Sequence, residues 1–418
     1  MDVPVSESRL RADIEANAEF GAVDAEEGRG RTVLTGTEAD RRARERLVSR
    51  LEDAGMEVRV DAVGNVAGRW TPESADPDTA PVAAGSHLDS VPRGGIFDGP
   101  LGVYAALEAV RAMQDADLSP KRPIEVVSFT EEEGTSFSGL LGSSVAVGKT
   151  PVEEALALTN DDGTTLDEAL SSIDFRGEGI LDASEWDAWF ELHVEQDTRL
   201  EELGVPVGVV TTITGISHGS VTIDGEANHA GATPMGERRD ALAAAAELVL
   251  DVERTANELV AEESETAVGT VGKLDVIPNG SNVVPGRVEA GIDVRDVREG
   301  TMEKIHDAIR ASLDRIEAER GVKTAYEGSV GLDPVSMSDR PREAAHAAGE
   351  RVGIETVDLH SGAAHDTMHV ADVTDAALLF APSRDGISHN PLEWTDWDDC
   401  AAATRVLAGA MADLGGTT

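Results

Sequence analysis

Four short apolar runs each give way to a histidine or a glutamate cluster, and that recurrence constrains the fold more than any other feature of this chain. Residues 82–85 lead to Ser86, His87, Leu88 and Asp89, and Ile124–Phe129 leads to Glu131, Glu132, Glu133 and Gly134. Residues 189–192 lead to His193, Val194, Glu195 and Gln196, and residues 378–380 lead through a loop to Ser388, His389 and Asn390. Short apolar or β-branched runs bounded by Pro and Gly read as buried strands. Helical spacing over residues 40–54 and 102–113, between strand-like segments, argues for an α/β domain with a largely parallel sheet. In such sheets ligands sit outside the carboxyl ends of the strands. Four parallel strands delivering His, Glu, His and His there build one polar cluster.

The pattern changes between residues 212 and 327. Strand alternation over 218–224, a helix over 240–259, strands over 266–276 and 287–295, a helix over 301–320 and a strand over 322–326 follow in order. That β-α-β-β-α-β order fits a ferredoxin-like unit. It is an insert, because the α/β pattern resumes afterwards. Residues 1–211 and 328–418 are therefore expected to form one domain and 212–327 a second, as the length of 418 residues also suggests.

Charge excludes some partners. With 35 basic against 80 acidic residues, the formal net charge is −45, a surface that repels nucleic acid and anionic lipid. Lysine is nearly absent, an acidic pattern like that of proteins from salt-loving organisms, where ionic strength screens self-repulsion. Cys400, the single cysteine, excludes an intramolecular disulfide and a Cys-based zinc site, and its Ala-rich helical setting reads as buried. Residues 1–20 carry no apolar core of a signal peptide, and no stretch approaches a transmembrane helix. A cytoplasmic, soluble protein is expected.

A fifth polar residue, Asp98, lies in the glycine-rich loop over 94–99, where the backbone can approach a site closely. Taken singly, a histidine near a strand end is usually a satisfied polar residue, and three consecutive glutamates are usually a solvated run. Their joint recurrence after apolar runs argues for a site. Three histidines and two carboxylates without cysteine suit zinc, manganese, cobalt or nickel, and the set is large enough for two ions sharing a carboxylate. His87 and Asp89 fall on one face of an extended segment, so Asp89 is expected to hold the second ring nitrogen of His87. Of the three glutamates, one would bind metal and another would handle a proton. Spacing alone does not assign them.

At these residues the chain resembles the two-metal, lid-bearing amidohydrolases, which include N-carbamoyl-L-amino-acid hydrolase, β-ureidopropionase and allantoate amidohydrolase. The likeness is carried by the segments at 85–92, 97–103, 129–134, 191–196, 228–235, 278–286, 293–295 and 388–391, in order along most of the chain. The resemblance implies a metallopeptidase-like sheet flanked by helices, with the insert as a lid that also mediates homodimerisation. It implies that His87, Asp98 and His193 hold one divalent ion and that Asp98, Glu133 and His389 hold another. Glu132 would be the general base and Glu131 an ordinary polar neighbour. Gln196 would contact substrate beside the metals, and His229, Asn282 and Arg295 would reach it from the lid. His365 and Asp89 would support the ligands from behind.

The chain departs from the family at Ala364, where the loop before His365 commonly has glycine. That bears on substrate size and not on the metal chemistry. Hydrolysis of the C–N bond of an N-carbamoyl amino acid, allantoate or β-ureidopropionate follows from the resemblance. An aminoacylase or dipeptidase on the same scaffold is the alternative, and a metal-dependent binding protein without turnover is the reading from another class.

Overall fold

The computed structural model describes residues 3–417. They divide into two compact units: one runs to Thr211 and resumes at Ser336, and the other is Thr212–Val335.

The first unit is built on a mixed sheet. Ala376–Ala381, Ala188–Val194, Val82–His87 and Ile124–Phe129 lie side by side in that order, all parallel. These are the four runs picked out from the sequence. Every residue in them is buried, as expected for parallel strands covered on both faces. Antiparallel strands flank this centre: Val66–Trp70 beside Ile124–Phe129, then Glu57–Val60, and Val207–Ile213 beside Ala376–Ala381. The register pairs Val82 with Ile124 and Ala188, and His87 with Phe129. The carboxyl ends of neighbouring strands therefore lie level, and the residues that follow them meet.

The helix Pro100–Asp115 starts beside that edge, with Pro100 at its first turn and Gly99 at φ +79 before it. It runs back through the core with Leu101, Val103, Tyr104, Leu107 and Val110 fully covered. The helix Trp397–Leu414 packs alongside and buries Cys400.

The second unit has strands in the spatial order Val268–Ile277, Arg287–Asp296, Gly215–Asp224, Lys323–Leu332, all antiparallel. Helices Ala241–Glu262 and Glu299–Arg320 complete the β-α-β-β-α-β order. Burial alternates residue by residue along Arg287–Asp296, the period of a sheet covered on one face. Ala241, Ala244, Ala245, Leu248 and Val252 form the covering stripe of the first helix, at helical spacing.

The last strand continues to Leu332, so the domain boundary expected after residue 327 falls inside a strand and the compact unit ends at Val335. Gly328 and Gly331 hid the continuation, since glycine weakens a strand pattern. Gly331 is there because the backbone of Ile216 passes close: a Cβ would lie 1.5 Å from the Ile216 carbonyl oxygen. No described helix is long and apolar enough to cross a membrane.

Candidate metal centre

His87 ends its strand and His193 is the penultimate residue of the next one, both almost wholly buried. His193 Nδ1 lies 3.0 Å from the Val194 carbonyl oxygen and His87 Nδ1 lies 3.2 Å from that of Asp89. If each Nδ1 donates, each Nε2 keeps a lone pair. Both Nε2 atoms face Asp98 Oδ1, at 3.2 Å from His193 and 3.5 Å from His87. The other Asp98 oxygen lies 3.4 Å from His389 Nε2, which is in turn 3.5 Å from Glu133 Oε2. Asp98 thus presents one oxygen to each of two groups, His87 with His193 and Glu133 with His389, and each group could hold a metal ion.

The fit of an ion can be judged from the donors. Two ligands about 2.0–2.1 Å from one tetrahedral ion lie about 3.4 Å apart. The separations of 3.2–3.5 Å within the two groups match that, and all but the 3.2 Å of His193 are long for direct hydrogen bonds. His87 Nε2 is buried without a hydrogen-bond partner, a costly state unless a cation takes its lone pair. Nitrogen and oxygen donors without sulfur suit zinc, manganese, cobalt or nickel. The residues fit the group.

Charge is concentrated here. Burial favours the neutral imidazole of His87, yet Glu132, Asp89 and Asp98 outweigh it and hold its pKa well above the ordinary value. Burial, with the Asp98 charge next, pushes the Glu133 carboxyl up to about 8. Burial also raises Glu132 well above the carboxylate range, reinforced by Glu133, Asp366 and Asp89 and opposed by His87. Glu132 Oε2 lies 3.7 Å from His87 Nε2, beside the ligands without belonging to either group.

Asp89 was expected to hold the His87 ring, and its carboxylate stands beside Nδ1 while also serving the glutamate loop. The nearer atom to Nδ1 is the Asp89 backbone oxygen, with the carboxylate at 3.6 Å. Its two carboxylate oxygens accept the backbone amides of Glu132 and Glu133. His365 packs edge-on against His193 with ring centroids 4.6 Å apart, and its Nε2 lies 3.1 Å from Ser361 Oγ. Burial is the first cause, and His193 the next, that hold the His365 pKa well below the ordinary value. Gln196 donates to Asp98 Oδ2 and to Ser388 Oγ, each at 3.1 Å.

His229, Asn282 and Arg295 belong to the second compact unit. His229 is exposed, pairs with Val283 in a two-residue ladder, and accepts the amides of Gly231 and Ala232 at Nδ1. Asn282 adjoins that ladder, and its backbone oxygen accepts the Ala230 amide. Arg295 is ion-paired with Asp293 at 2.9 Å.

Two contributors, Arg31 and Glu393, escaped the sequence reading, and a third, Glu131, was expected to be only an ordinary polar neighbour. Glu131 is buried at φ 58, and its Oε1 accepts the amides of Ser136 and Phe137, so it braces the glutamate loop. Arg31 is fully buried and donates through Nη2 to the carbonyls of Leu88 and Asp89, under the loop between His87 and Asp98. Glu393, also buried, accepts the amides of Phe97 and Asp98. The only local signal for a constrained loop was its glycines: a Cβ at Gly99 would lie 2.5 Å from the His87 ring.

Residues 83–413 match the model of Peptidase family M20/M25/M40. The chain is 41% identical over 394 residues to an N-carbamoyl-L-amino acid amidohydrolase of Geobacillus stearothermophilus, covering 93% of this chain and 94% of that protein. It is 33% identical over 405 residues to an allantoate amidohydrolase of Bacillus subtilis, covering 96% of each. A crystal structure of an amidase of the hydantoinase/carbamoylase family from Burkholderia multivorans superimposes with a TM-score of 0.93 at 36% identity, covering 99% of this chain and 98% of that one.

Proposed function

The chain belongs to peptidase family M20/M25/M40, and from that premise we propose that it hydrolyses the C–N bond of an N-carbamoyl-L-amino acid or a related ureido acid such as allantoate. The observation that carries this reading is Asp98, whose two oxygens face two separate donor groups while Glu132 stands beside His87. Relatives of similar length that are named for ureido substrates support the choice of bond.

We assign His87, Asp98 and His193 to one divalent ion and Asp98, Glu133 and His389 to a second. When bound, such a pair supplies Lewis acidity that makes water nucleophilic and polarises the scissile carbonyl. Glu132 is the general base: its Oε2 lies 3.7 Å from His87 Nε2, beside the ligands without being one, where a carboxylate can take a proton from water and return it to the leaving nitrogen. Gln196, already donating to Asp98, offers its amide to the substrate. His229 and Asn282 stabilise oxyanion or ureido oxygens, and Arg295 grips the substrate carboxylate with paired N–H donors. For a carbamoyl substrate the products are an amino acid, ammonia and carbon dioxide.

The same reading makes the inserted unit a lid through which two copies pair. It places the enzyme in a cytoplasm of high salt, an inference supported by the −45 charge and the single buried cysteine. Hydrolysis of N-carbamoyl, N-acetyl and dipeptide forms of one amino acid tests the substrate class. Preference for the carbamoyl form is expected, and preference for the acetyl or dipeptide form would make the protein an acylase or peptidase.

A further inference from the structure

We infer that Glu393 is a positioning residue that ties the two halves of the candidate metal centre together. The inference rests on the reading of Asp98 and His389 as ligands. Glu393 is only 1% exposed, and it belongs to neither donor group. Its Oε1 accepts the backbone amides of Phe97 at 3.0 Å and Asp98 at 3.1 Å, which fixes the loop bearing the shared carboxylate. Its Oε2 lies 2.9 Å from Ser388 Oγ, on the residue just before His389. The same hydroxyl lies 2.9 Å from Asp98 Oδ2.

With one proton, the Ser388 hydroxyl donates to one of these two carboxylates at a time, and it sits between Glu393 and Asp98. His389 follows at φ 53, a conformation a non-glycine residue keeps only where its surroundings enforce it. Gly95 leaves the space the carboxylate occupies, since a Cβ there would lie 2.0 Å from Glu393 Oε1. A carboxylate with both oxygens engaged on backbone and hydroxyl groups of ligand-bearing loops acts through those ligands. Such outer supports typically change metal affinity by about 10–100-fold.

The test is metal binding, measured by equilibrium dialysis of zinc against a competing chelator, with thermal unfolding of the metal-free proteins as a control. The parent, Glu393→Ala, Glu393→Gln and Ser388→Ala are compared. Glu393→Gln keeps an oxygen for the two amides and offers an N–H to Ser388, so it should bind like the parent. Glu393→Ala and Ser388→Ala should hold the weaker of two ions about 10–100-fold less tightly. Parent affinity for both ions in those two variants would overturn the proposal, as would a glutamine variant as impaired as the alanine one. Should Glu393→Ala fail to fold, Ser388→Ala decides alone, because it removes one hydroxyl. A parent that takes up fewer than two ions would overturn the two-metal reading beneath it.

Discussion

The carboxylate of Asp89 accepts the backbone amide of Glu133 at 3.1 Å, and its other oxygen accepts that of Glu132 at 3.3 Å. One side chain after the first ligand strand thereby sets the glutamate loop relative to His87. Replacing it, as Asp89→Ala, leaves two part-buried amides without their acceptor and lets both glutamates drift. Turnover should fall by about 10–100-fold, with weaker metal retention, as for other supports behind metal ligands. Kinetics and metal analysis on the same preparation check this, and parent values for both would contradict it.

Glu132 differs from its neighbour in role. Glu132→Gln removes the proton acceptor and keeps the shape, so turnover should drop by roughly 10²–10⁴-fold at unchanged metal content. Loss of an ion in this variant would make Glu132 a ligand, and near-parent turnover would remove it from the proton path.

Gly99 combines a positive φ with a close approach to the His87 ring. Gly99→Ala meets both obstacles, and the backbone strain alone costs about 1–3 kcal/mol. Denaturant unfolding should show at least that loss, together with weaker binding of the ion assigned to His87. A variant of parent stability and affinity would show that the loop yields easily.

His369, buried with Nδ1 3.2 Å from Ser143 Oγ, is pushed down to about 4 by burial and then by Lys149. A folded pKa below the unfolded value near 6.5 means that the unfolded chain binds the proton first. The stability His369 contributes is thus complete above about pH 6.5 and is lost as pH falls toward 4, by about 3 kcal/mol in all. Unfolding of parent and His369→Gln across that window should show a shallower decline in the variant. Parallel curves would mean that His369 does not titrate as stated.

What was legible in the sequence follows from how the site is made. Parallel strands buried on both faces must be continuously apolar, so the polar residues at their ends stand out. His87, the glutamates after Phe129, His193 and His389 were found that way. Residues that act across the fold left no local mark. Glu393 meets Phe97 from 296 positions away, and Arg31 meets Leu88 from 57. The left-handed backbone at Glu131, Gln196 and His389 was equally invisible, because none of them is glycine. In the inserted unit the helices and strands were plain from their periods, but the glycines at 328 and 331 concealed the end of the last strand.

The most direct test of the central claim is ammonia release in high salt from allantoate, β-ureidopropionate and several N-carbamoyl-L-amino acids, with zinc, manganese, cobalt or nickel supplied. The account predicts release from at least one of them, abolished by a chelator and restored by returning the metal. Silence across the panel from folded, metal-loaded protein, or release indifferent to the chelator, would contradict it.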